Sequence, residues 1–189
     1  MAIKTFTTGE VLTAADTNAY LANSGLTYIT SGALSTASTN FVGCFSSTYD
    51  NYRVVVQTIK VSANADISIR MLNGSTPLAN TSYVWSNFGS NNSGSTINEV
   101  SAGLVSSIYS GLAMYSTSIQ GSLIFDINTP FLVKNTILMG QSISYNGAWL
   151  SKTLFGLQQD DQSFDGIRFT TLGTPTMTGT VTIYGYRKA

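Results

Sequence analysis

Apolar and polar residues alternate with a period of two through most of this chain. The clearest case is 67–72, where Ile67, Ile69 and Met71 fall on one side and Ser68 and Arg70 on the other. Such alternation predicts a strand with one dry and one wet face. The same period runs through 52–61, where Val54, Val56 and Thr58 oppose Val55, Gln57 and Ile59. It recurs in 119–128, with Ile119, Gly121, Leu123, Phe125 and Ile127 aligned, and in 179–186, with Val181 and Ile183 aligned. In 131–145, Leu132, Lys134, Thr136 and Leu138 oppose Phe131, Val133, Asn135, Ile137 and Met139. Shorter runs at 26–33, 40–45, 83–88, 148–157 and 166–171 bring the total to about eight to ten strands. Turn residues separate them, including Asp50-Asn51, Asn73-Gly74, Thr129-Pro130 and Asn146-Gly147. Residues 89–96 (Gly-Ser-Asn-Asn-Ser-Gly-Ser-Thr) are expected as a projecting loop and 158–164 as a polar loop. In 97–115, Leu104, Ile108, Leu112 and Tyr115 fit a helix, but the Ser and Gly residues between them argue against it; loop and short strand are expected.

Only the front of the chain breaks this pattern. Thr13 is suited to cap a helix, Asp16 stands three residues on where a carboxylate favours the positive helix end, and Gly25 offers a left-handed exit. A helix of about ten residues is too short to be stable alone in water, so it must dock on another surface. The chain therefore divides into an N-terminal attachment segment with one short helix (1–25) and a β-domain (26–189). With no crossover helices between strands, the β-domain is expected to be an antiparallel, jelly-roll-like sandwich.

Composition narrows the function. Of 189 residues, 43% are hydrophobic but only 10% charged, well below the roughly 25% of an ordinary soluble domain. The surface must be built from neutral hydrogen-bonding groups, as in β-proteins that pack into assemblies. Nine basic and nine acidic side chains cancel, so no general attraction to nucleic acid or anionic lipid is expected. No stretch reaches membrane-spanning length, and the start lacks the apolar run of a signal peptide. Synthesis in a cytosol is the expectation. Cys44, the single cysteine, sits in Phe41-Val42-Gly43-Cys44-Phe45 and reads as a small buried apolar residue.

Histidine is absent, which removes Ser-His-Asp and Cys-His catalysis and the usual imidazole zinc ligands together. Asp126, Asp160, Asp161 and Asp165 remain as candidates for paired-carboxylate chemistry, but no catalytic residue, metal ligand or cofactor is assigned. Asp161-Gln-Ser163-Phe-Asp165-Gly166 imitates the first half of a calcium loop. Leu172 occupies the place of its closing Glu and no helix precedes it, so a turn is expected. Trp85 and Trp149 each stand beside a polar loop, and with Asn91 and Asn92 are the candidates for outward contact, for example stacking on sugars. For aromatic residues in general, core or subunit packing is the competing role.

The opening Phe6-Thr-Thr-Gly9-Glu10-Val11-Leu12-Thr13-Ala14-Ala15-Asp16-Thr17-Asn18-Ala19-Tyr20-Leu21 resembles the first segment of many tailed-phage virion proteins, tail-fibre and minor tail proteins among them. The close, Asp165-Gly166-Ile167-Arg168-Phe169 and then Gly179-Thr-Val-Thr-Ile183-Tyr184-Gly185-Tyr186-Arg187-Lys188, is similar to the last hairpin of small phage β-sandwich domains. Together they cover about a quarter of the chain. The resemblance implies a non-enzymatic virion component, made in the host cytoplasm and carried on the particle. Phe6, Val11, Leu12, Tyr20 and Leu21 would attach it to other virion proteins, and its β-domain would face outward. A homotrimeric tail appendage that touches a host-surface glycan is the leading expectation. A capsid decoration or cement protein and a glycan-binding or glycan-cleaving module are the alternatives.

Overall fold

The computed structural model describes residues 7–11, 13–14, 25–78, 80–92, 94–114 and 119–187, with the backbone alone at 94–101. The expected helix falls outside them, save for Thr13 and Ala14. The rest is strand and turn: β1 (Leu26–Leu34), β2 (Ser38–Phe41), β3 (Asn51–Val61), β4 (Ala65–Asn73), β5 (Thr76–Pro77), β6 (Tyr83–Asn91), β7 (Gly94–Val105), β8 (Ile108–Met114), β9 (Gly121–Asn128), β10 (Lys134–Tyr145), β11 (Trp149–Gln162), β12 (Gly166–Thr171) and β13 (Met177–Tyr186).

These strands form two antiparallel sheets stacked as a sandwich. The large sheet has eight strands in the order β1-β13-β3-β9-β10-β11-β6-β7; the small one runs β2-β12-β4-β5, with β8 also paired to β4. The chain passes repeatedly from one sheet to the other, as in a jelly roll. The core is where the dry faces meet. From the large sheet come Tyr52, Val54, Val56, Leu123, Phe125, Ile127, Val181 and Ile183; from the small sheet come Ile67, Ile69, Met71, Ile167 and Phe169, all at most 1% exposed. Phe125 and Phe41 each meet the ring of Phe169 at a steep angle, with centroids 6.3 and 6.1 Å away, the edge-to-face geometry that aromatic quadrupoles favour. Cys44 is buried here as expected. Burial pushes its thiol up to about 12, which leaves it unreactive at neutral pH.

Asn73-Gly74 forms the expected turn between β4 and β5. Gly74 takes φ +59° and its N–H donates to the Asp165 carboxylate at 2.9 Å. Both edge strands of the large sheet carry bulges, β1 between Tyr28 and Thr30 and β7 opposite Tyr83–Trp85, which discourages unwanted strand addition.

Three expectations are corrected. Residues 89–96 are not a projecting loop: β6 continues to Asn91 and β7 begins at Gly94, closing a hairpin. Gly89 belongs in a strand because a Cβ there would strike the Ser151 carbonyl and Lys152 across the ladder. Of the stretch 97–115, the described residues 97–114 are likewise mainly strand, in β7 and β8. The supposed polar loop at 158–164 is the end of β11 as far as Gln162. Its polar side chains find partners, so they need not leave the sheet: Gln158 Nε2 donates to Ser82 Oγ at 3.0 Å, and Ser82 Oγ donates to Asp160 at 2.9 Å.

Candidate functional site

The period of two assigns each strand residue to one face, and in half of the large sheet both faces carry apolar residues. In β10 the inward side carries Thr136, Leu138, Ser142 and Ser144; the outward side carries Ile137, Met139 and Ile143, each 43–48% exposed. In β11, Leu150, Lys152, Leu154 and Gln158 point in while Phe155 (44% exposed) and Trp149 (41%) point out. In β6, Asn87 is wholly buried and Phe88 is 49% exposed. Cross-strand register gathers the outward residues into rows: Asp126–Met139–Phe155–Ser86, and Ile124–Gln141–Thr153–Phe88. Between β10, β11, β6 and β7 this face holds a groove of about 450 Å³, lined by Val84, Ala102, Ile137, Met139, Phe155 and Leu157.

The inward side of the same strands is costly. Asn87 Oδ1, Thr136 Oγ1, Ser142 Oγ, Ser144 Oγ and Gln158 Oε1 are buried without a protein hydrogen-bond partner among the described residues. Each such group typically costs about 1–3 kcal/mol. Lys152 is 8% exposed, with its ammonium 5.4 Å from the centre of the Tyr109 ring. Burial holds its pKa below the usual lysine range, opposed by the charge of Asp66. A cation–π contact offsets only part of such desolvation.

At one end of this face two hairpin tips meet. Trp149 N–H donates to Asn92 Oδ1 at 2.9 Å and Asn92 N–H donates to the Trp149 carbonyl at 3.1 Å. Tyr145 stands beside the Trp149 ring, centroids 5.7 Å apart and planes at 72°, and Asn91 is paired in register with Leu150. Three of the expected contact residues, Asn91, Asn92 and Trp149, are thus brought together. Trp85 is not: it packs against the core with its ring 5.3 Å from that of Tyr109. Of the attachment residues, Val11 is 78% exposed. It follows a tight turn in which Glu10 N–H donates to the Thr7 carbonyl and Thr7 N–H to the Glu10 carboxylate. Phe6, Leu12, Tyr20 and Leu21 lie outside the described residues.

The carboxylates are engaged individually. Asp126 accepts both Arg53 Nε and Nη2 at 2.8 Å and the Tyr186 hydroxyl at 2.7 Å. The hydrogen bonds from Arg53 hold its carboxyl below the ordinary range, while burial and then the carboxylate push Tyr186 up to about 12. Asp160 is likewise held low, first by the Asn80 amide and then by Ser82. In the calcium-like stretch, where a turn was expected, Asp161 and Gln162 instead end β11 and residues 163–165 cross to β12 in the other sheet; Ser163 Oγ donates to the Phe131 carbonyl and Asp165 accepts from Gly74. Among the described residues no three His, Cys, Asp or Glu side chains cluster as a metal site would need.

Sequence reasoning missed the apolar outer face. Its signal was the double-sided apolarity of 131–145, where neither side of the strand is clearly wet. Comparison with protein-family models, curated proteins and solved structures finds no match to this chain.

Proposed function

We propose that this chain is a non-enzymatic structural subunit of a tailed-phage virion, held by its opening segment and presenting the sandwich outward. The observation that supports this reading is the state of that opening segment. Thr7, Thr8, Val11 and Ala14 are exposed, so these side chains are available to a neighbouring body. The resemblance of residues 6–21 to phage opening segments and the sparse charge agree with it. Its test is deletion of residues 1–25 followed by measurement of incorporation into particles. Loss of incorporation with a folded sandwich is expected; normal copy number would refute the clamp.

Within that role, a tail appendage is preferred to a capsid decoration because the Trp149–Tyr145–Asn92 tip supplies an exposed ring beside amide groups, the chemistry that stacks on and hydrogen-bonds to sugars. Copy number separates the two roles, tens per particle for an appendage against hundreds for a decoration. A glycan array with wild type and Trp149→Ala tests the tip itself.

A further inference from the structure

The outer face of β10, β11 and β6 carries more exposed apolar side chains than the outer face of β13, β3 and β9 beside it. Six large apolar side chains stand there or at its border, namely Phe88, Ile124, Ile137, Met139, Ile143 and Phe155, each 39–49% exposed. At about 150–250 Å² for a fully exposed large side chain, they present on the order of 500 Å² of apolar surface. That is in the range of the largest patch on a typical monomer. A standard interface buries about 800 Å² per partner, a little over half of it apolar. This face supplies that apolar share.

We infer that this face is where copies of this chain join one another. Charge argues for a second copy. No charged residue occupies the outward positions of β6, β10 and β11 from 84–90, 137–145 and 149–157. The bordering Asp126 is neutralised within its own chain by Arg53, and on the edge strand β7 Glu99 stands in register with Phe88. Two such faces therefore meet through an uncharged centre, with the charged positions Glu99, Asp126, Asp161 and Lys134 at the rim. The inference names the surface for the self-assembly expected of a virion subunit, but it stands or falls on solution behaviour, not on particle location.

The experiment is light-scattering mass of the full-length chain across micromolar concentrations. It compares wild type, Met139→Lys, Phe155→Glu and Gln141→Lys with a control on the other half of the sheet, Thr182→Lys. Gln141 is already polar and exposed, so its variant keeps the fold even if the other two do not; near-ultraviolet circular dichroism verifies this. Expected are two or three chains per particle for wild type and control, and a shift of at least tenfold toward single chains for Gln141→Lys and any folded face variant. A single-chain mass for wild type at every concentration would overturn the proposal and leave the face to the chain's own front end or to a different protein. An assembly unaffected by Gln141→Lys and by each folded face variant would also overturn it, placing the contact elsewhere. Retained self-association in a chain that never enters particles would leave the inference standing and remove the virion reading.

Discussion

In β13, β3 and β9 the inward residues are Val181, Ile183, Tyr52, Val54, Val56, Leu123, Phe125 and Ile127, and the outward ones include Thr180, Thr182, Arg53, Gln57, Ser122 and Asp126. In β10, β11 and β6, a few ångströms further along the same sheet, the inside mixes Leu138, Leu150, Leu154 and Tyr83 with Thr136, Ser142, Ser144, Lys152, Gln158 and Asn87, and Ile137, Met139, Ile143, Phe155 and Phe88 are outside. One backbone architecture thus serves two solvents. The first half is arranged for water on one side and core on the other. The second half is arranged as though its outer face were also an interior. Half-exposed isoleucines, a methionine and phenylalanines on one outer face make sense when that face is covered.

The contrast can be tested from within each half. The largest effect belongs to the conventional core: Phe125→Ala, which empties the contact with Phe169, should cost about 3–5 kcal/mol, read from the urea midpoint. At the corresponding depth in the other half the sign should reverse. Lys152→Met removes a buried ammonium and keeps the volume, and should stabilise by roughly 1–3 kcal/mol. Because burial lowers the folded pKa of Lys152 below its unfolded value, the wild type carries the full penalty while both states hold the proton, and the penalty is relieved where only the unfolded chain still holds it. The advantage of the variant should therefore shrink as pH rises through the folded value toward about 10.4. A variant equal to wild type at neutral pH would mean that the buried charge is fully compensated.

The smallest effect lies on the outer face of the conventional half. Asp126→Asn should cost only about 0.5–1 kcal/mol, since the Arg53–Asp126 pair is about one-third exposed. The Asp126 carboxyl is lowered in the fold, so its contribution is present above the unfolded value near 4 and is lost as pH falls through the folded value. Wild type and variant should therefore converge in acid. Denaturation at stepped pH would expose any other pattern.

Much of the architecture was legible because the strands that build the dry core keep most of their apolar residues on one side, as Leu123, Phe125 and Ile127 do in β9 with Ile124 opposite. Val54 and Val56 of β3 were assigned correctly for the same reason, but Thr58 and Ile59 exchange sides: Thr58 takes φ +53° at the bulge between Val56 and Ile59, which turns Ile59 into the core and leaves Thr58 exposed. The Gly- and Ser-rich stretch of 89–111 was misread because its composition hides the β6–β7 hairpin and because β6 and β8 also pair with β11 and β4, distant in sequence. Trp149 and Asn92 were found through their loop-like surroundings, which persist as hairpin tips. Trp85 shares that local texture, but alternation along β6 turns its ring inward beside Tyr83 and Asn87. The face that carries the main inference was hidden because strands 134–145 and 149–162 are apolar on both sides. Periodicity cannot say which side is dry when each side has a claim.

Methionine oxidation reads that face without any mutation. Met71, Met114 and Met177 are fully buried, whereas Met139 is 48% exposed in the single chain and central to the apolar face. Under dilute peroxide, followed by mass spectrometry, Met139 should oxidise nearly as slowly as the three buried methionines in concentrated protein and accelerate on dilution. A rate that is fast at every concentration, or slow at every concentration, would contradict burial of this face between copies of the chain.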